Sequence, residues 1–294
     1  MNNESVSTDK PKKHSAMKTV ISASRRTDIP AYYLDRLLHF IRRGVAEVTS
    51  PYSGKTYMVS LAKEDVHTIV LWSKNFGPFL KNDREPGGYR LYFLFTINDM
   101  PDLEPGVPHL TERLDQLREL AMRYGPERIG WRFDPVVFRD GKPVMDSGDF
   151  VRIGEHVAAA GVRRAILSFL DMYGKVKTRN KAMNLHFTDP PPEVTAAYAR
   201  DAAAGAADLG LALESCCEDL ISTGGIATGS CIDGALLARL AEEPADTMKD
   251  PGQRPLCGCT VSRDIGSYRD MPCPGGCLYC YANPLISRPE RAPG

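Results

Sequence analysis

At 294 residues, with 43% hydrophobic and 25% charged side chains, the chain has the composition of a soluble globular protein, large enough for one big α/β domain or two modest ones. Its 37 basic and 37 acidic residues cancel, which argues against a nucleic-acid footprint, and no apolar run reaches the roughly 18 residues of a membrane span. All eight cysteines lie beyond residue 215, an asymmetry that points to metal ligation in a reducing cytoplasm and away from a disulfide framework.

Residues 1–18 are polar and Lys-containing without an apolar stretch, and read as a flexible leader, not a secretory signal. Thr19–Ser24 is the first predicted strand, running into the polar Arg25-Arg-Thr-Asp28. Leu34, Leu37, Leu38 and Ile41 recur at helical spacing, so a helix is expected from Pro30 to Arg43 with Gly44 as its cap. Arg25 and Asp28 fit either a ligand site or a salt bridge with helix capping. A hairpin follows around Pro51–Gly54. Apolar strands are then expected at 68–75, 89–98, 128–137, 163–173 and 211–216, separated by helices at 112–124, 150–160 and 193–209. A short helix is expected at 235–242. The stretch 173–192 is basic and poor in apolar residues, and is expected to be a lid or a disordered excursion.

Strand and helix alternate in steps of roughly 30 residues, the signature of βαβ units around a mostly parallel sheet. The expected architecture is a partial or complete parallel (β/α) barrel over 19–215, closed by a Cys-rich segment, 216–294. Polar residues recur where strands end, the place where such barrels keep their chemistry.

The chemistry concentrates in Met271-Pro-Cys-Pro-Gly-Gly-Cys-Leu-Tyr-Cys-Tyr-Ala-Asn283. Cys273, Cys277 and Cys280 stand at C-x3-C-x2-C spacing, and Pro274, Gly275 and Gly276 let the backbone wrap tightly enough for three sulfurs to converge. Thiolates select iron–sulfur clusters or zinc. Three ligands so close together favour a [4Fe–4S] cluster with one iron left open, whereas zinc knuckles commonly pair C-x2-4-C units at a distance. Of the five other cysteines, Cys216, Cys231, Cys257 and Cys259 are expected to hold a second, fully protein-ligated centre, with zinc the rival to a cluster. Cys217, pointing to the opposite strand face from Cys216, is then left in the core.

The triplet resembles the signature of the radical S-adenosylmethionine enzymes. Over nearly the whole chain, Ile21–Pro30, Trp72-Ser-Lys-Asn75, Trp131-Arg-Phe-Asp-Pro135 and Ser262–Asn283 resemble the domain of unknown function 1848 family. The first resemblance implies an enzyme that binds S-adenosylmethionine at the open iron and cleaves it to a 5′-deoxyadenosyl radical to modify an unidentified substrate. A reduced ferredoxin or flavodoxin would supply the electron. Those enzymes usually carry the triplet after the first barrel strand. Here a circularly permuted order, with Thr260–Ile265 feeding the cysteine loop beside Val20–Ser24, would reconcile the two.

A bound S-adenosylmethionine needs a cation for its carboxylate, and Lys74 and Arg132 are the candidates. Ser22, Ser24, Thr96, Asn98 and Glu214 are candidates for its ammonium or ribose. Tyr173 and Cys217 are conceivable hydrogen donors to a substrate radical. Each polar strand-end residue fits capping or hydrogen bonding equally well, and Trp72 and Trp131 fit core packing. The alternative function is a binding or hydrolytic α/β barrel whose C-terminal end is a structural zinc or iron–sulfur knot.

Overall fold

The computed structural model describes residues 17–51, 53–82, 86–218 and 225–286. The main sheet starts from β1 (Thr19–Ala23), to which the later strands are added on one side or the other. Following the chain, β4 (Val66–Ser73), β5 (Leu91–Thr96), β6 (Ile129–Val136), β9 (Arg164–Phe169), β10 (Ala212–Ser215) and β11 (Ala227–Thr228) are laid down side by side. The last strand, β12 (Arg263–Asp264), returns to the free edge of β1, with Ile21 opposite Arg263 and Ser22 opposite Asp264. Among the described residues this makes an eight-stranded sheet in the order β11-β10-β9-β6-β5-β4-β1-β12, parallel at every pairing.

The order never doubles back, so the sheet is singly wound like a barrel and lacks the reversal of a doubly wound fold. It is an α/β partial barrel. Placing β12 beside β1 is the arrangement the permuted order requires. The Cys-rich segment therefore contributes two strands to the sheet as well as its cysteines.

Strand periodicity explains the two cores. In β4, Ile69 and Leu71 face outward with Phe93, Phe95, Trp131, Phe133 and Leu167 of the neighbouring strands, under the helices. Val70 and Trp72 face inward with Tyr92, Leu94 and Ile166. The outer layer includes α4 (Leu110–Tyr124), α5 (Ser147–Ala159) and α7 (Pro192–Asp208). α5 begins with a reciprocal capping box between Asp146 and Asp149. Trp131 stacks on Phe150 at 4.9 Å and donates Nε1–H to the Ile97 carbonyl at 3.1 Å, so it is a packing residue. The inner layer is filled by Cys231, Cys257 and Cys259 together with Leu237 of α8 (Gly234–Ala241). Below it, the Glu243 carboxylate, just past α8, pairs with Lys18 at 2.9 Å and with Arg90.

The hairpin forms as expected, β2 (Val45–Thr49) antiparallel to β3 (Thr56–Ser60). Two expectations are corrected. The helix expected over 30–43 is two, α1 (Ile29–Tyr32) and α2 (Leu34–Arg43), broken where Tyr33 takes φ −132°. Asp28 accepts from the Ala31 amide to start α1. The stretch 173–192, expected as a lid or excursion, contains α6 (Gly174–Met183), in which Gly174 opens the helix and Val176 is the buried residue. With so little apolar periodicity the sequence pattern hides this helix, and polar contacts to the cysteine loop hold it in place. α3 (Gly77–Leu80) and the small pair β7 (Phe138–Arg139) and β8 (Lys142–Pro143) complete the elements named here. The leader, 1–18, lies outside the described residues up to residue 16.

Candidate metal centre

Both groups of cysteines sit at the C-terminal end of the strands. The route to the triplet starts at Asp264, whose carboxylate accepts from Ser22 Oγ at 2.8 Å, Ser24 Oγ at 2.7 Å and the Arg25 amide at 2.8 Å. Side chains thus lock the last strand onto the first, and they fix where the loop leaves the sheet.

The loop is then gripped by three elements. From the α1 side, Tyr33 donates to the Pro272 carbonyl at 2.6 Å and Tyr32 to that of Gly106 at 2.7 Å. The β5–α4 connection pairs with it by Gly106 N–H to Gly275 O at 3.1 Å and Leu278 N–H to Leu103 O at 2.9 Å. α6 contributes Arg179, donating to the carbonyls of Leu278 at 2.8 Å and Cys280 at 2.9 Å. The loop closes on itself through Cys273 N–H to Asn283 O at 2.9 Å and Leu285 N–H to Cys273 O at 2.8 Å. Gly276 has φ +64°, which disfavours any side chain, and a Cβ on Gly106 would lie 2.7 Å from the Pro274 oxygen. The glycines are therefore required by backbone approach.

Burial pushes the Cys277 and Cys280 thiols up, and burial with the nearby Asp28 charge pushes Cys273 up to about 11. A coordinated metal replaces those protons outright, so the site suits a soft cation. Beside it the Tyr279 hydroxyl bonds Glu104, a buried carboxylate that also pairs with Lys74 at 2.9 Å and lies 3.8 Å from Arg113. The Lys74 ammonium stands 5.6 Å from the Tyr279 ring centroid. Asp28, accepting from Ser73 Oγ at 2.7 Å and the Lys74 amide at 2.9 Å, is nevertheless pushed up to about 6 by burial. Three thiols on one braced loop at the barrel mouth are of the type that binds a soft metal.

The other five cysteines meet in the barrel interior. Cys216 Sγ lies 3.5 Å from Cys231 Sγ and 3.9 Å from Cys217 Sγ. Electrostatic interaction continues the circuit from Cys231 to Cys259, from Cys259 to Cys257 and from Cys257 to Cys217. Among the described residues no set of three or more His, Cys, Asp or Glu side chains is already disposed around one ion, so sulfurs in either group must turn toward a common centre to bind one. Between the two groups stands the pair Arg132–Asp134, at 2.5 Å. Arg132 faces Cys231 and Cys216, and the Asp134 charge is felt at Cys280.

The family profile of the domain of unknown function DUF1848 matches residues 20–282. The chain belongs to the DUF1848 family. No curated protein matches it. Two solved structures are similar in outline. One, from work on the pneumococcal virulence factor StrH and N-glycan recognition and hydrolysis, is 14% identical, with 88% of this chain and 75% of that one covered and a TM-score of 0.29. The other is the carboxyl transferase domain of Rhizobium etli pyruvate carboxylase, at 11% identity, 77% and 46% coverage and a TM-score of 0.23. Overlaps this loose carry no argument about the DUF1848 chain.

Of the residues that the sequence suggests for the cofactor, Lys74 lies by the triplet. Ser22 and Ser24 are engaged by Asp264. Thr96 accepts from Arg132 at 3.4 Å, and Asn98 is fully buried, accepting from the Asp134 amide at 3.3 Å. Glu214 pairs with Arg164 at 2.8 Å and is not brought to the triplet. Tyr173, partly exposed, packs 5.7 Å from Tyr281, and the partial burial of its hydroxyl pushes it up to about 12. Cys217, expected in the core, is half-buried in the five-cysteine circuit. Sequence reasoning misses Asp264, Glu104, Tyr32 and Arg179. Only Asp264 carries a signal, as part of the Ser-Arg-Asp-Ile-Gly segment.

Proposed function

We propose that this DUF1848 protein is a radical S-adenosylmethionine enzyme whose reactive cluster is held by Cys273, Cys277 and Cys280. The observation that supports it is the loop itself: three thiols, no fourth within it, fixed at the barrel mouth by Tyr33, Leu103, Gly106 and Arg179. When bound, a [4Fe–4S] cluster with one open iron supplies, with S-adenosylmethionine and an electron from ferredoxin or flavodoxin, reductive cleavage to a 5′-deoxyadenosyl radical. Lys74 offers the charge for the cofactor carboxylate, with Glu104 and Tyr279 holding its ammonium in place. Arg132 stands near the same site, whereas Thr96 and Asn98 are buried beneath it. The substrate would enter between the two cysteine groups, where Tyr173 and Cys217 are the candidate hydrogen donors. A reducing cytoplasm suits eight free thiols. Among the described residues no helix is long and apolar enough to cross a membrane.

The test is electron paramagnetic resonance on protein reconstituted anaerobically with iron and sulfide, then reduced with dithionite. Adding S-adenosylmethionine should change the spectrum of the wild type and leave that of Cys277→Ala unchanged. A wild-type spectrum indifferent to saturating cofactor would contradict the reading.

A further inference from the structure

The inner layer of the barrel holds charge that its neighbours do not answer. Trp72 lies between two guanidinium groups, Arg25 at 5.3 Å from the indole centroid and Arg132 at 5.0 Å. Arg25 Nη2, Trp72 Nε1 and Arg132 Nε are buried donors with no hydrogen-bond partner among the described residues. Both arginines face the five-cysteine circuit, Arg25 toward Cys259 and Cys231, Arg132 toward Cys231 and Cys216. Asp264 and Asp134 answer part of this charge, the Asp264 carboxylate acting on the Arg25 guanidinium through space and Asp134 pairing with Arg132. Three buried donors without partners are costly unless an acceptor meets them.

We propose that Cys216, Cys231, Cys257 and Cys259 form a second metal site, a tetrathiolate centre with Arg25 and Arg132 as its countercharges. Four thiolates around a single dication, or around a four-iron cluster in its usual oxidised state, carry a net charge of about −2, which Arg25 and Arg132, each shared with an aspartate, offset in part. The thiol protons leave to solvent on binding, and no electron is transferred. Cys231 and Cys259 are 2% exposed and Cys257 6%, as a fully protein-ligated centre requires, while Cys217, half-buried beside Arg254, is the spare. The Cys216–Cys231 sulfur separation of 3.5 Å is close to the edge of about 3.8 Å expected for a tetrahedron of sulfurs 2.3 Å from one zinc. A four-iron cluster spreads its cysteine sulfurs further, and adds sulfides as acceptors for the three idle donors. The shared chemistry is thiolate coordination of a soft metal, and the experiment separates its two forms.

Full-length protein is purified anaerobically as the wild type, with Cys273, Cys277 and Cys280 all changed to Ala, and with Cys216, Cys231, Cys257 and Cys259 all changed to Ala. Iron, zinc and acid-labile sulfide are measured in each. The triplet variant should retain either about four irons with matching sulfide or about one zinc, and Cys217→Ser should retain the same. The four-cysteine variant should lose that metal. Metal-free triplet variant, with its remaining thiols free or joined as disulfides, would overturn the proposal even if the four-cysteine variant fails to fold. Arg25→Gln supplies a second readout. It should make a cluster harder to reduce, or a zinc quicker to leave to a chelator; metal retained with both properties unmoved would refute the countercharge role.

Discussion

The two cysteine groups of this DUF1848 protein are built on opposite plans. Around the triplet, sulfurs are spaced by backbone: Cys280 Sγ accepts from the Ala282 amide at 3.4 Å, Cys277 Sγ lies 3.9 Å from the Gly275 oxygen, and neighbouring elements hold the loop. In the other group sulfur meets sulfur, inside the barrel, against arginines. A loop at a mouth that offers three thiols suits exchange of a ligand; a buried circuit that offers more than enough suits a centre with no open position. Position in the barrel, more than cysteine chemistry, makes the difference.

That contrast can be broken from the triplet side. The largest effect is expected for Cys277→Ala, which should reduce cofactor cleavage to background while circular dichroism and the metal of the other group stay as in the wild type. Next, Glu104→Ala leaves Lys74 and Arg113 buried without their carboxylate and should destabilise the protein by about 3–5 kcal/mol in urea titration. Glu104→Gln, keeping the Tyr279 contact, should lose less. Asp264→Ala removes three acceptor contacts between β12 and β1 and should lower stability by about 3 kcal/mol, with iron retention at the triplet falling alongside.

The smallest effect is a slope. The Asp28 carboxyl sits at about 6 in the folded protein, above its ordinary 3.8, so the native state keeps a proton that the unfolded chain has released. Its contribution to stability is full below pH 4 and is lost as pH rises through 6. Urea midpoints measured from pH 4 to 7 should show a decline that Asp28→Asn flattens. An unchanged slope in the variant would place the proton elsewhere.

Much of this architecture is legible in the amino-acid sequence. The alternation of strands and helices implies the parallel barrel because periods of two and of three to four residues are strong in Val66–Ser73, Leu91–Thr96 and Leu110–Tyr124. The placement of β12 follows from the need for a strand ahead of the triplet. α6 is illegible because it is held by Arg179 and Lys175 reaching the cysteine loop and Asn283, contacts that leave no periodic trace. Ser22 and Ser24 read as ligand residues because polar strand ends look alike, whichever partner takes them. Their partner, Asp264, is some 240 residues away in sequence, beyond the reach of local pattern. Trp72 fits core packing only in part, since its indole N–H has no partner among the described residues and guanidinium groups lie over its ring.

The central claim is that the triplet holds a cluster that cleaves S-adenosylmethionine. Its most direct test is a turnover assay on anaerobically reconstituted wild type and Cys277→Ala, with dithionite as reductant and 5′-deoxyadenosine as the quantity measured. The account expects 5′-deoxyadenosine from the wild type, none above background from the variant, and equal metal in the five-cysteine group of both. A fully loaded wild type that forms no 5′-deoxyadenosine, or a variant that forms as much, would contradict it.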